Sequence, residues 1–173
     1  MAMDDLEGRK KLLKLSGLKK GKILDVGMGD CGCMALFLAR RGFYVTGIDH
    51  SSLAVHKSRK EAARFKLKGS FKAKRAKAEK IPFENNSFDA VFSYHSLHHI
   101  KNIDEAIKEM YRVCRQGGLI VVSDLHSRGR REYEHEPNKS FIRNIEKHLR
   151  RWGTLVGKAR TRINMMFVYK KVT

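Results

Sequence analysis

The sequence predicts an α/β fold built on a mostly parallel sheet. Three observations carry that expectation. Short apolar runs of strand length alternate with helical patterns, the order that parallel sheets require. The first of these runs, Lys22 to Val26, leads directly into a glycine-rich turn and then a helix. The chain is 173 residues long and 42% hydrophobic, which suits one domain with a full core.

Each element follows from its residues. Lys22 to Val26 is a buried-strand pattern. Met34 to Arg41 is a largely apolar helix that Gly42 stops. Phe43 to Ile48, rich in β-branched and aromatic residues, is the second strand. Ser52 to Lys68 is a helix that Ser51 or Ser52 caps and Gly69 ends. Phe71 to Ala76 is a weaker strand, and Phe88 to Ser93 a fourth. Asp104 to Arg115 is a helix capped near Asn102, with Ile107, Met110 and Tyr111 at helical spacing. Gly117-Gly118 then turns into the strand Leu119 to Val122. Phe141 to Trp152 is an amphipathic helix, and Asn164 to Val172 a strand-like run that Thr154 to Val156 could pair. Pro82 and Pro137 fall in loops. No repeat, low-complexity tract or linker divides the chain, so residues 1–173 read as one domain.

Composition excludes several classes. Met1 to Lys14 is charged throughout and lacks the apolar stretch of a signal peptide. No run approaches the roughly 20 apolar residues of a membrane helix. Cys31, Cys33 and Cys114 are too few for a disulfide scaffold and suit a reducing, cytoplasmic compartment. Cys31-x-Cys33 is too close for a zinc pair, and His95-x-x-His98-His99 lacks the i, i+4 spacing of helical metal ligands. No metal is therefore expected.

The turn after the first strand reads Asp25-Val26-Gly27-Met28-Gly29-Asp30-Cys31-Gly32. Its glycines let a nucleotide-like ligand approach the backbone at a helix N-terminus. Asp49, at the end of the next strand, can accept both hydroxyls of a ribose. Asp25 and Asp30 bracket the glycines and would repel a pyrophosphate. They argue against a nicotinamide dinucleotide and for a ligand with a positive centre, such as S-adenosylmethionine. Their bland alternative role is to cap the following helix.

On these residues the chain resembles the class I S-adenosylmethionine-dependent methyltransferases, in the small Rossmann-like subgroup that includes the ubiquinone/menaquinone C-methyltransferases. The resemblance rests on Ile23 to Gly29, Val45 to Ser51, Ala78 to Ser93, Leu97 to Ile100 and Arg115 to Ile120. It implies a three-layer, doubly wound sheet of seven strands in the order 3-2-1-4-5-7-6, with strand 7 antiparallel and supplied by the tail. It implies S-adenosylmethionine as cofactor, leaving S-adenosylhomocysteine as product. The backbone of Gly27, Met28 and Gly29 would contact its methionine part, Asp49 its ribose and His50 the face of its adenine. Lys77, Ala78 and Glu79 would edge the adenine, and Ser93 and Tyr94 would sit beside the methyl. Three positions depart from the family pattern: Cys31 replaces a third glycine, Lys77 an aspartate and His50 an aliphatic residue.

Methyl transfer is an in-line displacement that depends on placement and exclusion of water. It needs a protein base only where the acceptor must shed a proton. His95, with Tyr94 beside it, follows the fourth strand into the crevice and is the candidate base. His98 and His99 read as packing or capping residues. The chain lacks the Asn/Asp-Pro-Pro-Tyr segment of adenine amino-methylation and a suitably placed cysteine for pyrimidine C5 chemistry.

The formal net charge is +19. Residues 57–80 hold eleven Lys and Arg against two Glu, with Lys57, Lys60, Arg64 and Lys68 on one helical stripe. A second cluster runs from Arg128 to Arg131 and on through Arg143, Lys147, Arg150 and Arg151. The lid over the acceptor side is short. These features suit RNA or another polyanion as acceptor, and a neighbouring copy in a homodimer could complete the cover. A small-molecule acceptor and a non-catalytic nucleic-acid-binding module are the readings left beside it.

Overall fold

The computed structural model describes residues 5–67, 70–132 and 140–172. Its strands are β1 (Lys22–Val26), β2 (Tyr44–Asp49), β3 (Phe71–Arg75), β4 (Phe88–Tyr94), β5 (Cys114–Leu125), β6 (Gly153–Arg160) and β7 (Asn164–Lys171). Its helices are α1 (Leu6–Ser16), α2 (Cys33–Ala39), α3 (Ser52–Arg64), α4 (Ile103–Val113), α5 (Ser127–Glu132) and α6 (Phe141–Leu149). The sheet has the order β3-β2-β1-β4-β5-β7-β6. All pairs from β3 to β5 are parallel, and β7 runs antiparallel to both neighbours. The seven-stranded, doubly wound sheet that the family resemblance implies is the one observed.

Strand alternation sorts the core into two layers. Ile23, Val45, Phe92, Val121, Met166 and Val168 pack beneath α1, α2 and α3. Leu24, Ile48, Val91, Ile120, Val122, Phe167 and Tyr169 pack beneath α4 and α6. Strand β6, at the sheet edge, alternates half-buried and exposed residues and carries Lys158 and Arg160, charges that discourage further strand pairing. Among the described residues no helix is long and apolar enough to cross a membrane.

Some boundaries differ from those the sequence predicts. Helix α4 stops at Val113, and β5 begins at Cys114 rather than Leu119. The diglycine is no plain turn. It sits inside β5, where the register shifts between Phe88–Cys114 and Ala90–Leu119. A Cβ on Gly118 would meet the Asp89 carbonyl oxygen at 2.7 Å, so only glycine fits there. Helix α3 ends at Arg64, with Lys66 in the left-handed region at φ 56°. The predicted terminator Gly69, together with Lys68 and Pro137, lies outside the described residues. Helix α1 is not predicted from the sequence at all. Asp5 caps it by accepting from the Gly8 amide, and Gly17 closes it in the left-handed conformation.

Candidate active site

The parallel strands point their C-terminal ends to one edge, and the chain reverses direction across the sheet between β1 and β4. Such a switch point is where ligands of open α/β sheets bind. Gly27 (φ 72°) and Gly29 (φ 67°) turn the chain there. A Cβ on Gly27 would strike the Ser96 side chain. The amides of Gly27 and Met28 donate to the Ile48 carbonyl at 2.9 and 3.1 Å, which ties the loop to β2. The Met28 side chain is buried against Gly47.

Asp25 lies at the foot of this loop and is 1% exposed. Neither carboxylate oxygen has a hydrogen-bond partner among the described residues. Burial pushes its pKa up to about 7, the Asp49 charge pushes the same way, and the α2 amide of Ala35 pulls against both. A buried carboxylate with no more than that one amide drawing on it is suited to meeting a cation. Asp30 plays no such part. It turns to the surface and pairs with Lys57 at 2.7 Å.

Asp49 ends β2. Its oxygens accept from the Gly29 amide at 3.0 Å and the Ser51 amide at 2.9 Å. Each oxygen keeps a lone pair for a further donor. His50 is exposed beside it, with Nδ1 3.4 Å from Asp49 Oδ1. The Ala76 amide donates to the Asp49 carbonyl at 2.9 Å. That bond brings the Lys77-Ala78-Glu79 segment, turned by a Lys77–Lys80 bridge, next to the expected ribose acid. Arg75 Nε donates to the His50 carbonyl at 3.0 Å and braces the same corner.

A cavity of about 1010 Å³ opens in front of the loop. Asp25, Gly27, Met28, Gly29, Tyr94 and His95 line one side, and Leu6, Arg9, Met34 and Phe37 the other. Asp49, His50 and residues 77–79 are not in this lining. They stand one strand over, at the β2–β3 end of the crevice. Ser93 is fully buried and lies outside the lining too. Ser96 Oγ donates to the Val26 carbonyl at 2.8 Å, so Ser93 donates to Ser96 across 2.7 Å. Its hydroxyl therefore fastens the turn after β4 to the glycine loop.

Tyr94 and His95 do face the cavity, but neither stands alone. Tyr94 Oη donates to Asp5 Oδ2 at 2.6 Å, and its ring stacks on His95 at 4.2 Å. His95 has φ 53°, a conformation uncommon outside glycine and found at functional sites. Its ring Nε2 lies 2.6 Å from Asn164 Oδ1. His98 is no helix cap: Nδ1 contacts Asp124 Oδ1 at 2.6 Å and its amide donates to Oδ2 at 3.2 Å, which clamps the turn to the end of β5.

Cys31 and Cys33 also line the cavity, and the two are joined as a disulfide. The sequence predicts no bridge there. The two cysteines flank Gly32, whose left-handed φ of 54° brings their side chains together. Cys31 thus turns onto Cys33. Cys114 is buried and free, and burial pushes its thiol up to about 12.

Asp5 and Arg9 line the cavity, and Ser96 and Asn164 bond to the glycine-loop strand and to His95, yet all four escape sequence reasoning. Only Asp5 carries a local signal, since a helix cap followed by Leu12, Lys14 and Gly17 marks α1.

The chain belongs to the family described as a methyltransferase domain, whose model matches residues 24–122. S-adenosylmethionine is the methyl donor of that class. Among its relatives, the ubiquinone/menaquinone biosynthesis C-methyltransferase UbiE of Geotalea daltonii is 33% identical over 112 residues, 63% of this chain and 47% of that protein. The sterol 4-C-methyltransferase strm-1 of Caenorhabditis elegans is 33% identical over 102 residues, 59% of this chain and 30% of that protein. The chain spans less than half the length of these curated relatives. In fold it is similar to the crystal structure of a SAM dependent methyltransferase from Aquifex aeolicus, with a TM-score of 0.82 and 20% identity over 95% of this chain and 89% of that one.

Proposed function

We propose that this domain transfers the methyl group of S-adenosylmethionine to a carbon atom of a small ring-bearing molecule. The observation that carries the donor half is Asp25, a buried carboxylate with no partner among the described residues, at the foot of the glycine loop. It fits the ammonium of the donor's methionine end, and Asp49 fits the ribose hydroxyls. The acceptor half is supported by the C-methyltransferases among its relatives, one named for quinone biosynthesis and one for sterols. The apolar cavity wall of Leu6, Met34, Leu36, Phe37 and Phe65 supports it too.

When bound, the donor supplies an electrophilic methyl group on a sulfonium. This chain's residues bind and place the reactants. Asp25 neutralises the ammonium, Asp49 accepts from the ribose, and the glycine turn allows close approach of the backbone. Helix α1 lays Leu6 and Arg9 over the cavity and keeps water from the acceptor side. His95 stands ready to take a proton where the acceptor must lose one.

A second reading, methyl transfer to RNA or another polyanion, is favoured by the exposed Lys60, Lys72, Lys74, Arg75 and Lys77 on α3, β3 and the turn after it.

Calorimetry with S-adenosylmethionine and S-adenosylhomocysteine tests the donor half. Heat with both ligands, with affinity weakened in Asp49→Ala, is expected, and no heat with either ends the methyltransferase reading. Incubation with labelled donor, then with total RNA or a small-molecule extract, separates the acceptors. Label extracted into organic solvent supports the small ring; label that survives protease but not ribonuclease supports RNA.

A further inference from the structure

The candidate base sits at the end of a hydrogen-bonded chain that begins on α1. Asp5 Oδ1 accepts from the Gly8 amide at 2.8 Å. Asp5 Oδ2 accepts from Tyr94 Oη and from Asn164 Nδ2, both at 2.6 Å. Asn164, fully buried at the start of β7, presents its Oδ1 to His95 Nε2 at 2.6 Å.

The proton positions along this chain follow from chemistry alone. A carboxylate only accepts, so the Asn164 amide must turn its NH2 group toward Asp5. Its carbonyl oxygen then faces His95, and a carbonyl oxygen also only accepts. His95 Nε2 must therefore donate, and the neutral ring carries its lone pair on Nδ1. We infer that Asp5 and Asn164 are positioning residues that hold His95 in its Nε2–H tautomer.

The surroundings agree with a neutral ring over an ionised carboxylate. Burial holds His95 below its ordinary value, against the pull of Asp124, Asn164 and Asp5, and His98 adds to the lowering. Burial alone would raise Asp5, but the bonds from Tyr94, Gly8 and Asn164 outweigh it and hold the carboxyl low. The left-handed backbone of His95, its amide bonded to the Ser123 carbonyl at 2.8 Å, fixes where the ring starts.

The inference rests on the methyl-transfer reading for its chemistry. As the acceptor carbon bonds to the methyl carbon, the methyl–sulfur pair stays on sulfur. The acceptor's C–H pair stays with the acceptor, and its proton passes to the His95 imidazole. One positive charge leaves sulfur and one appears on imidazole.

Asp5→Asn tests the relay with little risk to the fold, because Asn caps a helix as well as Asp does. The Gly8 amide must still face the side-chain oxygen of residue 5. The new NH2 group then takes the place of Oδ2 and must donate. Asn164 is driven to flip its amide, and its NH2 group turns to His95 Nε2, which becomes the acceptor. The preferred tautomer inverts to Nδ1–H. 15N spectra of histidine-labelled protein, with S-adenosylhomocysteine present and absent, read the tautomer directly.

Wild type is expected as Nε2–H, with the tautomer ratio changed roughly tenfold or more in Asp5→Asn, the scale of one hydrogen bond's preference. Asn164→Leu, which removes the bond without reversing it, should leave the two tautomers mixed. Nδ1–H in wild type, or Nε2–H unchanged in Asp5→Asn, overturns the relay. None of these spectra depends on turnover, so they are separate from the calorimetric test of the donor site.

Discussion

The proposed donor half of the cleft comes from one short stretch of chain, and the proposed acceptor half from its beginning, middle and end. Asp25, the glycine loop and Asp49 sit on adjacent parallel strands joined by a single helix. Asp5, Tyr94, His95 and Asn164 come from α1, the end of β4 and the start of β7, and the Asp5–Asn164 bond joins residues 159 apart. In the proposed donor half, neither oxygen of the central carboxylate, Asp25, has a geometric hydrogen-bond partner among the described residues. The acceptor half satisfies its carboxylate internally and uses it to set a histidine. One carboxylate waits for a cation, and the other orders its neighbours.

The largest expected effect tests the first of these. Asp25→Asn should weaken S-adenosylmethionine roughly a hundredfold or more, the scale on which a buried pair loses its anion, as read by calorimetry. The same variant should change stability in the opposite direction. With its pKa raised to about 7, folded Asp25 holds a proton that the unfolded chain has released. Wild-type stability from this group therefore falls as pH rises from the ordinary carboxylate range through about 7. Thermal melts of the unliganded protein at pH 8 should show Asp25→Asn above wild type, by on the order of 3 kcal/mol. Equal melting of the two would break the contrast between the halves.

Donor affinity in wild type should climb with pH through about 7 and then level, as Asp25 ionises, and stay flat in Asp25→Asn. Asp49→Ala should cost roughly tenfold to a hundredfold in donor affinity, the scale of lost charge-assisted bonds. Some of that loss comes from the Gly29 amide, which loses its acceptor. Tyr94→Phe removes one bond to Asp5 and should destabilise by about 1–2 kcal/mol in urea titrations. A smaller loss of donor affinity than in Asp25→Asn would keep the two halves distinct. Lys57→Ala, which breaks an exposed pair with Asp30, should stay within about 0.5 kcal/mol of wild type. A larger cost would mean that Asp30 serves the donor loop after all.

The same contrast explains what the sequence discloses. Asp25, Gly27, Gly29 and Asp49 are spaced by one strand–helix–strand unit, so their meeting is a local consequence of the pattern. Asn164 meets Asp5 only because β7 inserts between β5 and β6, and no local signal in Asn164-Met165-Met166 says so. Helix α1 hides for another reason: Arg9, Lys10, Lys11 and Lys14 dominate its composition, while Leu12 alone is fully buried. The start of β5 is masked by Gly117-Gly118, which reads as a turn until the register shift beside Asp89 is seen. Ser93 is placed correctly on β4, but which way its hydroxyl bonds depends on Ser96 and Val26, contacts made in three dimensions. Spacing gives the Cys31–Cys33 pair no expected bridge, because the bond depends on the left-handed turn at Gly32.

The bond from Asn164 to Asp5 closes almost the whole chain on itself. Closure entropy grows only with the logarithm of loop length, so such a bond costs little more than a shorter one. Its effect is on timing. Contacts between distant residues form late, and a chain made from its N-terminus holds both strands of the donor unit long before residue 164 exists. The Asn164 side of the histidine's hydrogen-bonded chain is supplied by β7, the strand between β5 and β6 in the sheet.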